Sequence, residues 1–538
     1  MKPSDVQVEA TQLPAAAKCP ICGTSFARLS NSDANAHVNR CLDGDPMPPP
    51  ATPKTSRITY TLPPTSETSN PHAPLKFQTS NKQASAFTKI MSNNTKEHAW
   101  ASAAKTEAES KGKRAIERTC PFYKILFNGP ITVDAFRYGK IPGCNAYFLS
   151  HFHSDHYVGL SSTWQHGPIY CSRVTANLVR SRLKVDPQWV VELPWEEWLE
   201  VPGVDGVRVR GLDANHCPGS MLFLFENLKG KKPIRVLHCG DFRAEPKHLD
   251  HPLLRPGKNR TQKIDTVYLD TTYLDPKYAF PTQKNVIDAC AEMCVLLDSD
   301  QVPDMKDSGS LANFVTKATE IKKESEATRS KRRLLIMVGT YSIGKERIAT
   351  GIAHALNSKI YAPPNKLFTL QQLEDPTLTR LLTSDPSAAQ VHLTPLGSVD
   401  PTTLSTYLSQ HPSFARIVAF RPSGWSYKPP TSRLTTSPKL DDVLFSPTWK
   451  SAYSIKDMAP VRGGSDKVRC YGVPYSEHSS FRELCMFCCA LDIGRIIPTV
   501  NVGSKKARER MEGWIQKWDT ARKRGLFSLG EGGGGESW

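Results

Sequence analysis

The sequence has no long apolar run, and this absence argues against a membrane-spanning helix. Nowhere in the 538 residues does an uninterrupted apolar stretch approach the roughly 18 residues that cross a bilayer. The first residues, MKPSDVQVEATQ, also lack the apolar core of a secretory signal. The 14 cysteines are scattered without the spacing of a small disulfide-stabilised domain. We therefore expect a soluble intracellular protein with reduced thiols and no membrane partner.

Acidic residues are scarce relative to basic ones. Asp and Glu together number 52 against 69 Lys and Arg, which gives a formal net charge of +17. An excess of positive charge favours an anionic polymer such as nucleic acid as the partner. The chain is also long enough to form one large domain or two to three ordinary ones.

Four residues near the N-terminus have the spacing of a zinc site. Cys19 and Cys22 form a Cys-x2-Cys knuckle, and His37 and Cys41 follow as His-x3-Cys. Because so small a unit has almost no core, bound zinc would supply most of its folding free energy. We expect residues 16–44 to form a Cys-Cys-His-Cys finger that holds one zinc.

By its residue types alone, this finger can bind DNA or protein. Residues 18–43 resemble the ubiquitin-binding zinc fingers of DNA-repair proteins. The resemblance implies ubiquitin, or a ubiquitinated repair protein, as a partner. Asn39 stands where those fingers often carry an acidic residue that contacts ubiquitin.

Two segments have the composition of disordered chain. Residues 45–117 are rich in Pro, Ser, Thr, Lys and Ala with little apolar periodicity, which predicts a disordered linker. Within it, Lys111-Gly112-Lys113-Arg114 is either a nuclear-import signal or a solvated charge run. The run GEGGGGE predicts a disordered tail at residues 526–538.

The most informative motif is HFHSDH, which follows the apolar segment AYFL at residues 146–149. His151 and His153 are two residues apart and so point the same way on an extended segment. Asp155 and His156 follow at the turn into the next element. Imidazole nitrogen and carboxylate oxygen are ligands that suit zinc, and one strand end can supply them to two neighbouring metals.

Other apolar segments end in the same way. Asp134 closes ITVD, His216 lies in DANHCPG, Asp241 follows IRVLHCG, and Asp270 follows VYL. His238 lies three residues before Asp241, and we expect it to cap a strand rather than bind metal. The alternation of short strands with helical segments predicts layered α and β structure with polar residues at strand ends.

This series resembles the metallo-β-lactamase superfamily from about Thr119 to Gly525. The resemblance implies an α/β fold, an αββα sandwich of two mixed sheets flanked by helices. It also implies residue roles: Asp134 as a supporting acid, His151, His153, Asp155 and His156 as the signature, His216 as the third motif and Asp241 as the bridging ligand.

Asp270 resembles the first acidic motif of the β-CASP branch, whose members cut nucleic acids. In that branch an inserted domain displaces the last ligand, which here matches His478 in PYSEHSS. A closing motif carries His in RNA-processing members and Val in DNA-processing members, and this chain has Val500. The segments LDTTYLDPKYAFP, RPSGWSY and PYSEHSS are most similar to the DNA interstrand cross-link repair nucleases, relatives of Artemis.

The resemblance also assigns domains. It implies a first metallo-β-lactamase part at residues 118–274, an inserted β-CASP α/β domain at 275–469 and a second part at 470–525. Within the insert, Lys345 lies where a strand meets a helix, a place that can hold phosphate. We expect Lys345, Ser476 and Ser479 to form a pocket for a 5′-phosphate, with an ordinary helix start as the alternative.

The implied chemistry is phosphodiester hydrolysis. By resemblance, His151, His153 and His216 hold one metal, Asp155, His156 and His478 hold the other, and Asp241 bridges. The metals would be zinc, with Mg or Mn as alternatives, and would activate a water. The expected catalytic residues are Asp155, Asp241, Asp134, Asp270 and His478, with Asp134 and Asp270 orienting ligand histidines or assisting proton transfer.

The resulting hypothesis is a nuclear, monomeric, metal-dependent 5′-to-3′ DNA exonuclease in interstrand cross-link repair, which prefers a 5′-phosphate. One alternative is an RNA-processing β-CASP nuclease, which Val500 disfavours. Another is a ubiquitin-binding repair scaffold with a weak or inactive nuclease domain, which the complete ligand set disfavours.

Overall fold

The computed structural model describes residues 86–110, 112–255, 262–299, 333–433, 435–525 and 538. The expected zinc finger at residues 16–44, with all four of its ligands, lies outside these ranges, and so does the tail at 526–537. No helix in the described ranges is long and apolar enough to cross a membrane.

The first sheet contains five short strands in chain order. The first pair is antiparallel and the remaining pairs are parallel. Its strands are β1 (Ile125–Leu126), β2 (Ile131–Val133), β3 (Ala146–Phe148), β4 (Ile169–Ser172) and β5 (Val190–Leu193). In β3, Ala146 and Phe148 belong to one buried cluster and Tyr147 to another, so the strand buries both faces.

The second sheet has six strands in the order β17-β10-β9-β8-β7-β6. Its strands are β6 (Trp198–Glu200), β7 (Val207–Asp213), β8 (Met221–Asn227), β9 (Ile234–His238), β10 (Thr266–Leu269) and β17 (Ile496–Pro498). Phe148 of the first sheet packs on Phe223 and Phe225 of the second, with ring centroids 5.2 and 4.9 Å apart. The two sheets therefore face each other across a shared aromatic core.

The third sheet is wholly parallel, in the order β13-β12-β14-β11-β15-β16. Its strands are β11 (Arg333–Thr340), β12 (Lys359–Tyr361), β13 (Leu382–Thr383), β14 (Ala389–Pro395), β15 (Phe414–Pro422) and β16 (Val468–Val473). This sheet corresponds to the expected insert. The expected boundary between residues 469 and 470 falls inside β16, which pairs with β15.

Helices connect and flank the strands. They are α1 (Ala86–Glu109), α2 (Ser154–Tyr157), α3 (Arg173–Arg182), α4 (Pro246–Asp250), α5 (Gln283–Asp298), α6 (Glu346–Ala355), α7 (Pro364–Gln371), α8 (Pro376–Leu381), α9 (Pro401–Gln410), α10 (Leu440–Phe445), α11 (Phe481–Ala490) and α12 (Lys505–Lys523). Short 3-10 turns lie at Ala115–Glu117, Phe122–Lys124, Phe136–Tyr138, Pro187–Trp189, Pro276–Tyr278, Leu396–Ser398, Gly424–Ser426, Pro447–Trp449 and Ile455–Asp457.

The layer order matches the expected αββα sandwich. Helix α3 packs on the outer face of the first sheet through Leu178 and Val179. Helices α11 and α12 share a buried cluster with the outer face of the second sheet, to which Trp518 contributes. Ser480 and Glu483 form a capping box at the start of α11, which fixes the chain immediately after residue 478.

The prediction of a disordered linker is wrong over residues 86–109, because these residues form helix α1. The segment is rich in Ala, Lys and Glu, which are strong helix formers, and it has no internal proline. Its tertiary contacts hold it: Trp100 stacks on Tyr123 with ring centroids 5.4 Å apart, and Glu97 pairs with Arg508 of α12. Because α1 has little apolar periodicity of its own, the sequence pattern did not reveal it.

Candidate metal centre and active-site cleft

The HFHSDH motif follows the end of β3 and continues into the one-turn helix α2. His151 is fully buried, and His153 precedes α2 at its N-cap position. Asp155 and His156 lie within the helix itself. The change from strand to helix over six residues turns all four side chains toward the same end of the two facing sheets.

Asp241 is the point on which the imidazoles converge. Its Oδ2 atom lies 3.1 Å from Nε2 of His156 and 3.8 Å from Nε2 of His151. Nε2 of His216 and Nε2 of His478 are each 4.0 Å from the same oxygen. One carboxylate oxygen therefore has four imidazole nitrogens around it, brought together from three separate segments of the chain.

His153 and His216 form a second contact at this centre. Nδ1 of His153 lies 3.1 Å from Nε2 of His216. The other nitrogen of each ring is held by a backbone carbonyl, that of Ile343 for His153 at 3.1 Å and that of Glu477 for His216 at 2.9 Å. These carbonyls lie after β11 and after β16, so segments adjoining the third sheet orient two rings of the centre.

Two buried carboxylates orient two further rings. Asp134 Oδ2 lies 2.7 Å from Nδ1 of His156, and the same carboxylate accepts from the backbone N–H and hydroxyl of Ser150 at 2.8 and 2.7 Å. Asp270 Oδ2 lies 2.8 Å from Nδ1 of His478. A carboxylate that accepts the Nδ1 proton leaves Nε2 as the free donor atom of the ring.

Burial sets the charge of three rings. It lowers the pKa of His153 and that of His216 to about 3, helped in each case by a neighbouring imidazole. The pKa of His151 is lowered well below its usual value by burial and by the surrounding histidines. These rings are neutral at physiological pH, as a metal ligand must be.

His156 lies in the opposite environment. Burial favours its neutral form, but Asp241, Asp155 and Asp134 outweigh it and raise the pKa of His156 well above the usual range. The same ring lowers the pKa of Asp155 and of Asp134 against the effect of their burial. Three carboxylates around one imidazole are an excess of negative charge, which a dication would neutralise.

The donor set fits metal ions. Nε2 of His151 is buried without a hydrogen-bond partner, although it is directed at the carboxylate of Asp241. Among the described residues, three sets of donor atoms converge: His151, His153, His216 and Cys217; His151, His156 and Asp241; and His216, Asp241 and His478. Burial raises the pKa of Cys217 well above normal, so its thiol is not a ready ligand. Nitrogen and carboxylate donors remain, the set that zinc prefers.

An open cleft lies against this centre. Its walls include Asp155, His216 and His478 on the side of the sandwich and Tyr341, Lys345 and Trp425 on the side of the insert. The centre is thus reachable from solvent at the junction of the sandwich and the third sheet.

The expected phosphate pocket is only partly assembled. Lys345 and Ser476 line the cleft, and Ser479 does not. The hydroxyl of Ser479 donates to the carbonyl of Phe242 and accepts the N–H of Ala244. The phosphate role of these residues stays a prediction.

Sequence reasoning missed the partner of Lys345. The Lys345 Nζ atom lies 3.1 Å from Oε2 of Glu477, and the Lys345 N–H donates to Oε1 at 2.8 Å. Burial disfavours the charge of Glu477, but Lys345 and the nearby histidines lower its pKa to about 2. Because these residues are far apart in sequence, no spacing signal could have paired them.

His238 stays outside the set of converging donors. Its Nδ1 accepts the N–H of Gly240 at 3.0 Å, and its ring stacks on Tyr268 at 5.2 Å. The ring therefore fixes the turn between β9 and Asp241, the strand-capping role expected from the sequence.

The chain is similar to known DNA-repair proteins. A family model described as DNA repair metallo-beta-lactamase matches residues 376–504. The chain is 41% identical to the DNA cross-link repair protein pso2/snm1 of Schizosaccharomyces pombe, over 95% of this chain and 80% of that protein.

Two further relatives match over shorter shares of their length. The DNA cross-link repair 1A protein of Mus musculus is 37% identical over 76% of this chain and only 34% of that protein. The 5′ exonuclease Apollo of Gallus gallus is 29% identical over 70% of this chain and 63% of that protein.

Proposed function

This chain belongs to the family of DNA cross-link repair proteins with a metallo-β-lactamase fold, and from that premise we propose that it is a metal-dependent 5′-to-3′ DNA exonuclease. The reaction is hydrolysis of phosphodiester bonds in DNA. One relative is named a 5′ exonuclease and two others are named DNA cross-link repair proteins, which supports both the polarity and the pathway.

The observation that carries the proposal is the arrangement around Asp241. One carboxylate oxygen lies within 4.0 Å of four imidazole nitrogens, and the centre opens directly into the cleft. A purely structural cluster would satisfy its buried nitrogens with protein partners. The buried Nε2 of His151 has none.

We assign the ligands as two sets that share Asp241. His151, His153 and His216 would hold one ion, and Asp155, His156 and His478 the other. Two bound zinc ions, or Mg or Mn in their place, would supply Lewis-acid charge and water activation at a phosphodiester.

The chain's own residues prepare the site for that chemistry. Asp134 and Asp270 keep the Nδ1 protons of His156 and His478, so that both Nε2 atoms are directed into the centre. The carbonyl of Glu477 holds Nδ1 of His216 in the same way. The carbonyl of Ile343 instead holds Nε2 of His153, so that Nδ1 of that ring is directed into the centre. These four rings are therefore each held by a contact behind them, which fixes the direction of the nitrogen that faces the centre.

The substrate end is proposed from the cleft. Lys345 and Ser476 line it, and the aromatic rings of Tyr273 and Trp425 face the same space. An aromatic ring can stack on the terminal base while lysine and hydroxyl groups bind the 5′-phosphate. Ser479 does not line the cleft and would act only indirectly, by supporting the adjoining loop through its hydrogen bonds to Phe242 and Ala244.

The cellular setting is proposed from the same relatives and from the N-terminal motif. A cross-link repair enzyme acts in the nucleus, and we propose that location for a monomeric chain. The finger at residues 16–44 would hold a third zinc through Cys19, Cys22, His37 and Cys41 and would bind ubiquitin or a ubiquitinated repair protein.

The test is digestion of a matched substrate panel. Strands of identical sequence are made as DNA and RNA, each with a 5′-phosphate or a 5′-hydroxyl and with a label at either end. We expect stepwise release of mononucleotides from the 5′ end of DNA, faster with the phosphate. Preferred digestion of RNA, or release from the 3′ end, would overturn the proposal.

A further inference from the structure

A second recess lies beside the metal centre, between helix α1 and the sandwich. We call it the α1 groove, and it has a volume of about 890 Å³. Trp100, Ala104 and Ala108 of α1 form part of its wall, and the loop before α12 forms another part through Asn501 and Ser504. The region expected from the resemblance begins at Thr119, so α1 lies outside it.

The α1 groove adjoins the active-site cleft and the metal centre. Thr272 and Trp425 line both the groove and the active-site cleft. Thr272 and Val500 line both the groove and a third cavity, whose walls include Asp241 and His156. The groove therefore begins where the cleft ends, within reach of a chain molecule whose end lies in the cleft.

The groove has the charge of a site for a polyanion. Among its described lining residues, the cations outnumber the carboxylates and are Lys113, Arg118, Arg137, Lys277 and Arg510. The two carboxylates of the lining are already paired, Glu107 with Arg137 at 3.1 Å and Asp275 with Arg510 at 2.9 Å. The net charge facing the groove is positive.

Aromatic rings accompany these charges where the groove meets the cleft. Tyr278 packs edge to face on Trp425, with centroids 4.9 Å apart, and the Trp425 side chain is 37% exposed. Lys277 extends over the Tyr278 ring at 4.7 Å. Exposed rings interleaved with cations are the pattern that binds single-stranded nucleic acid, because every unpaired base has a face to stack.

We propose that the α1 groove holds the single DNA strand on the 3′ side of the cleaved bond, and that helix α1 is part of the substrate-binding surface. The terminal nucleotide occupies the cleft, and the following nucleotides run along the groove. This inference rests on the proposed function, since it needs a DNA strand whose end is at the metal centre.

The sharpest test changes α1 itself. Ala108→Glu places a carboxylate on the groove wall, and Ser102→Glu places the same group on an exposed part of α1 that does not line the groove. Both are measured in the full chain, with Asp241→Asn added so that the strand stays intact. Affinity is followed by fluorescence anisotropy with a 5′-phosphorylated strand of about twenty nucleotides, which is long enough to present several phosphates to the groove.

A second pair tests the opposite wall. Lys277→Glu reverses a charge in the groove, and Lys231→Glu reverses an exposed charge in the hairpin between β8 and β9, at the far end of those strands from the metal ligands. Each of these variants, without Asp241→Asn, is also assayed for cleavage of a 5′-phosphorylated dinucleotide, which is too short to extend along the groove.

We expect Ala108→Glu and Lys277→Glu each to weaken binding of the long strand by about fivefold, with a salt dependence shallower by about 0.7 for each phosphate that the groove no longer binds. Their cleavage of the dinucleotide should equal that of wild type, and both controls should bind like wild type. Equal binding by groove and control variants overturns the inference, as does equal loss on both substrates. If wild type itself cleaves no DNA, the proposed function fails. If wild type cleaves DNA but the groove variants bind the long strand as wild type does, only the inference about the groove is refuted.

Discussion

The Nε2 atom of His151 lies 3.8 Å from Oδ2 of Asp241, buried and without a hydrogen-bond partner. The two residues come from the ends of β3 and β9, which belong to different sheets. A buried nitrogen without a hydrogen-bond partner destabilises the fold unless a third group binds between it and the carboxylate. We interpret that group as a metal ion.

Asp270→Asn should weaken the metal centre without unfolding the sandwich. The substitution removes the charge that accepts the Nδ1 proton of His478 at 2.8 Å. Loss of such an orienting carboxylate commonly lowers metal affinity by about 10- to 100-fold. Metal titration of the purified chain, monitored by calorimetry, should show that loss, and DNA digestion should fall with it at limiting metal.

The matched control is Asp288→Asn on the exposed face of α5, where the carboxylate only pairs with Lys284. That variant should bind metal as wild type does. Unchanged metal affinity in Asp270→Asn would mean that its contact with His478 has no part in ligation.

Cys217→Ala should leave metal binding intact. The thiol lies within reach of His151, His153 and His216. Burial raises its pKa well above normal, so it stays protonated while the imidazoles bind. The truncation of a small buried side chain should cost about 1 kcal/mol of unfolding free energy. A fall in metal content measured by mass spectrometry would identify the thiol as a ligand and refute our assignment.

Lys345→Met should destabilise the fold strongly. Both Lys345 and Glu477 are nearly inaccessible, and Nζ is 3.1 Å from Oε2. Removal of one partner leaves a buried charge without compensation, which typically costs about 3–5 kcal/mol. Denaturant unfolding should report that loss, and Glu477→Gln introduced into Lys345→Met should recover most of it. A single variant as stable as wild type would contradict the buried pair.

The pair also makes a pH-dependent contribution. The folded chain lowers the pKa of Glu477 from its ordinary 4.5 to about 2. A depressed carboxyl pKa stabilises the fold above the unfolded value, and that stabilisation is lost as pH falls through the folded value. The stability difference between wild type and Lys345→Met with Glu477→Gln should therefore shrink between about pH 4.5 and pH 2. A difference that stays constant across this window would exclude the linkage.

Trp100→Ala should release helix α1. The ring stacks on Tyr123 and packs edge to face on Phe122, with centroids 5.4 and 4.6 Å apart. The remaining α1 sequence has little apolar surface, so tertiary packing rather than propensity keeps it folded. Hydrogen exchange across residues 97–109 should accelerate by at least about tenfold, while exchange in β8 stays unchanged. Equal protection of α1 in both proteins would show that Trp100 does not anchor it.

Much of the candidate metal centre could be predicted from the sequence because its donors stand at strand ends. His151, Asp241 and Asp270 each follow an apolar segment, and the αββα fold brings those ends together. The four finger ligands were predicted from their own spacing in the sequence. They lie outside the described residues and stay a prediction.

What sequence reasoning missed depends on contacts between distant segments. The carbonyl of Ile343 holds His153, and Glu477 pairs with Lys345, yet neither has a local pattern that announces it. Lys345 is also committed to a buried ion pair, which its position at a helix start did not reveal. Helix α1 was missed because its contacts, such as Glu97 with Arg508, are far apart in the chain.

The most direct test of the account is metal content and DNA digestion measured together for Asp241→Asn. Asp241→Asn and its reference protein both also carry Cys19→Ser and Cys22→Ser, so that zinc bound by the finger does not contribute to the measured metal content. We expect the otherwise native chain to hold about two metal ions and to digest 5′-phosphorylated DNA, as a two-metal hydrolase does. Asp241→Asn should lose at least one ion and nearly all activity. If Asp241→Asn retains full metal content and digests DNA at the native rate, the proposed centre is not the site of reaction.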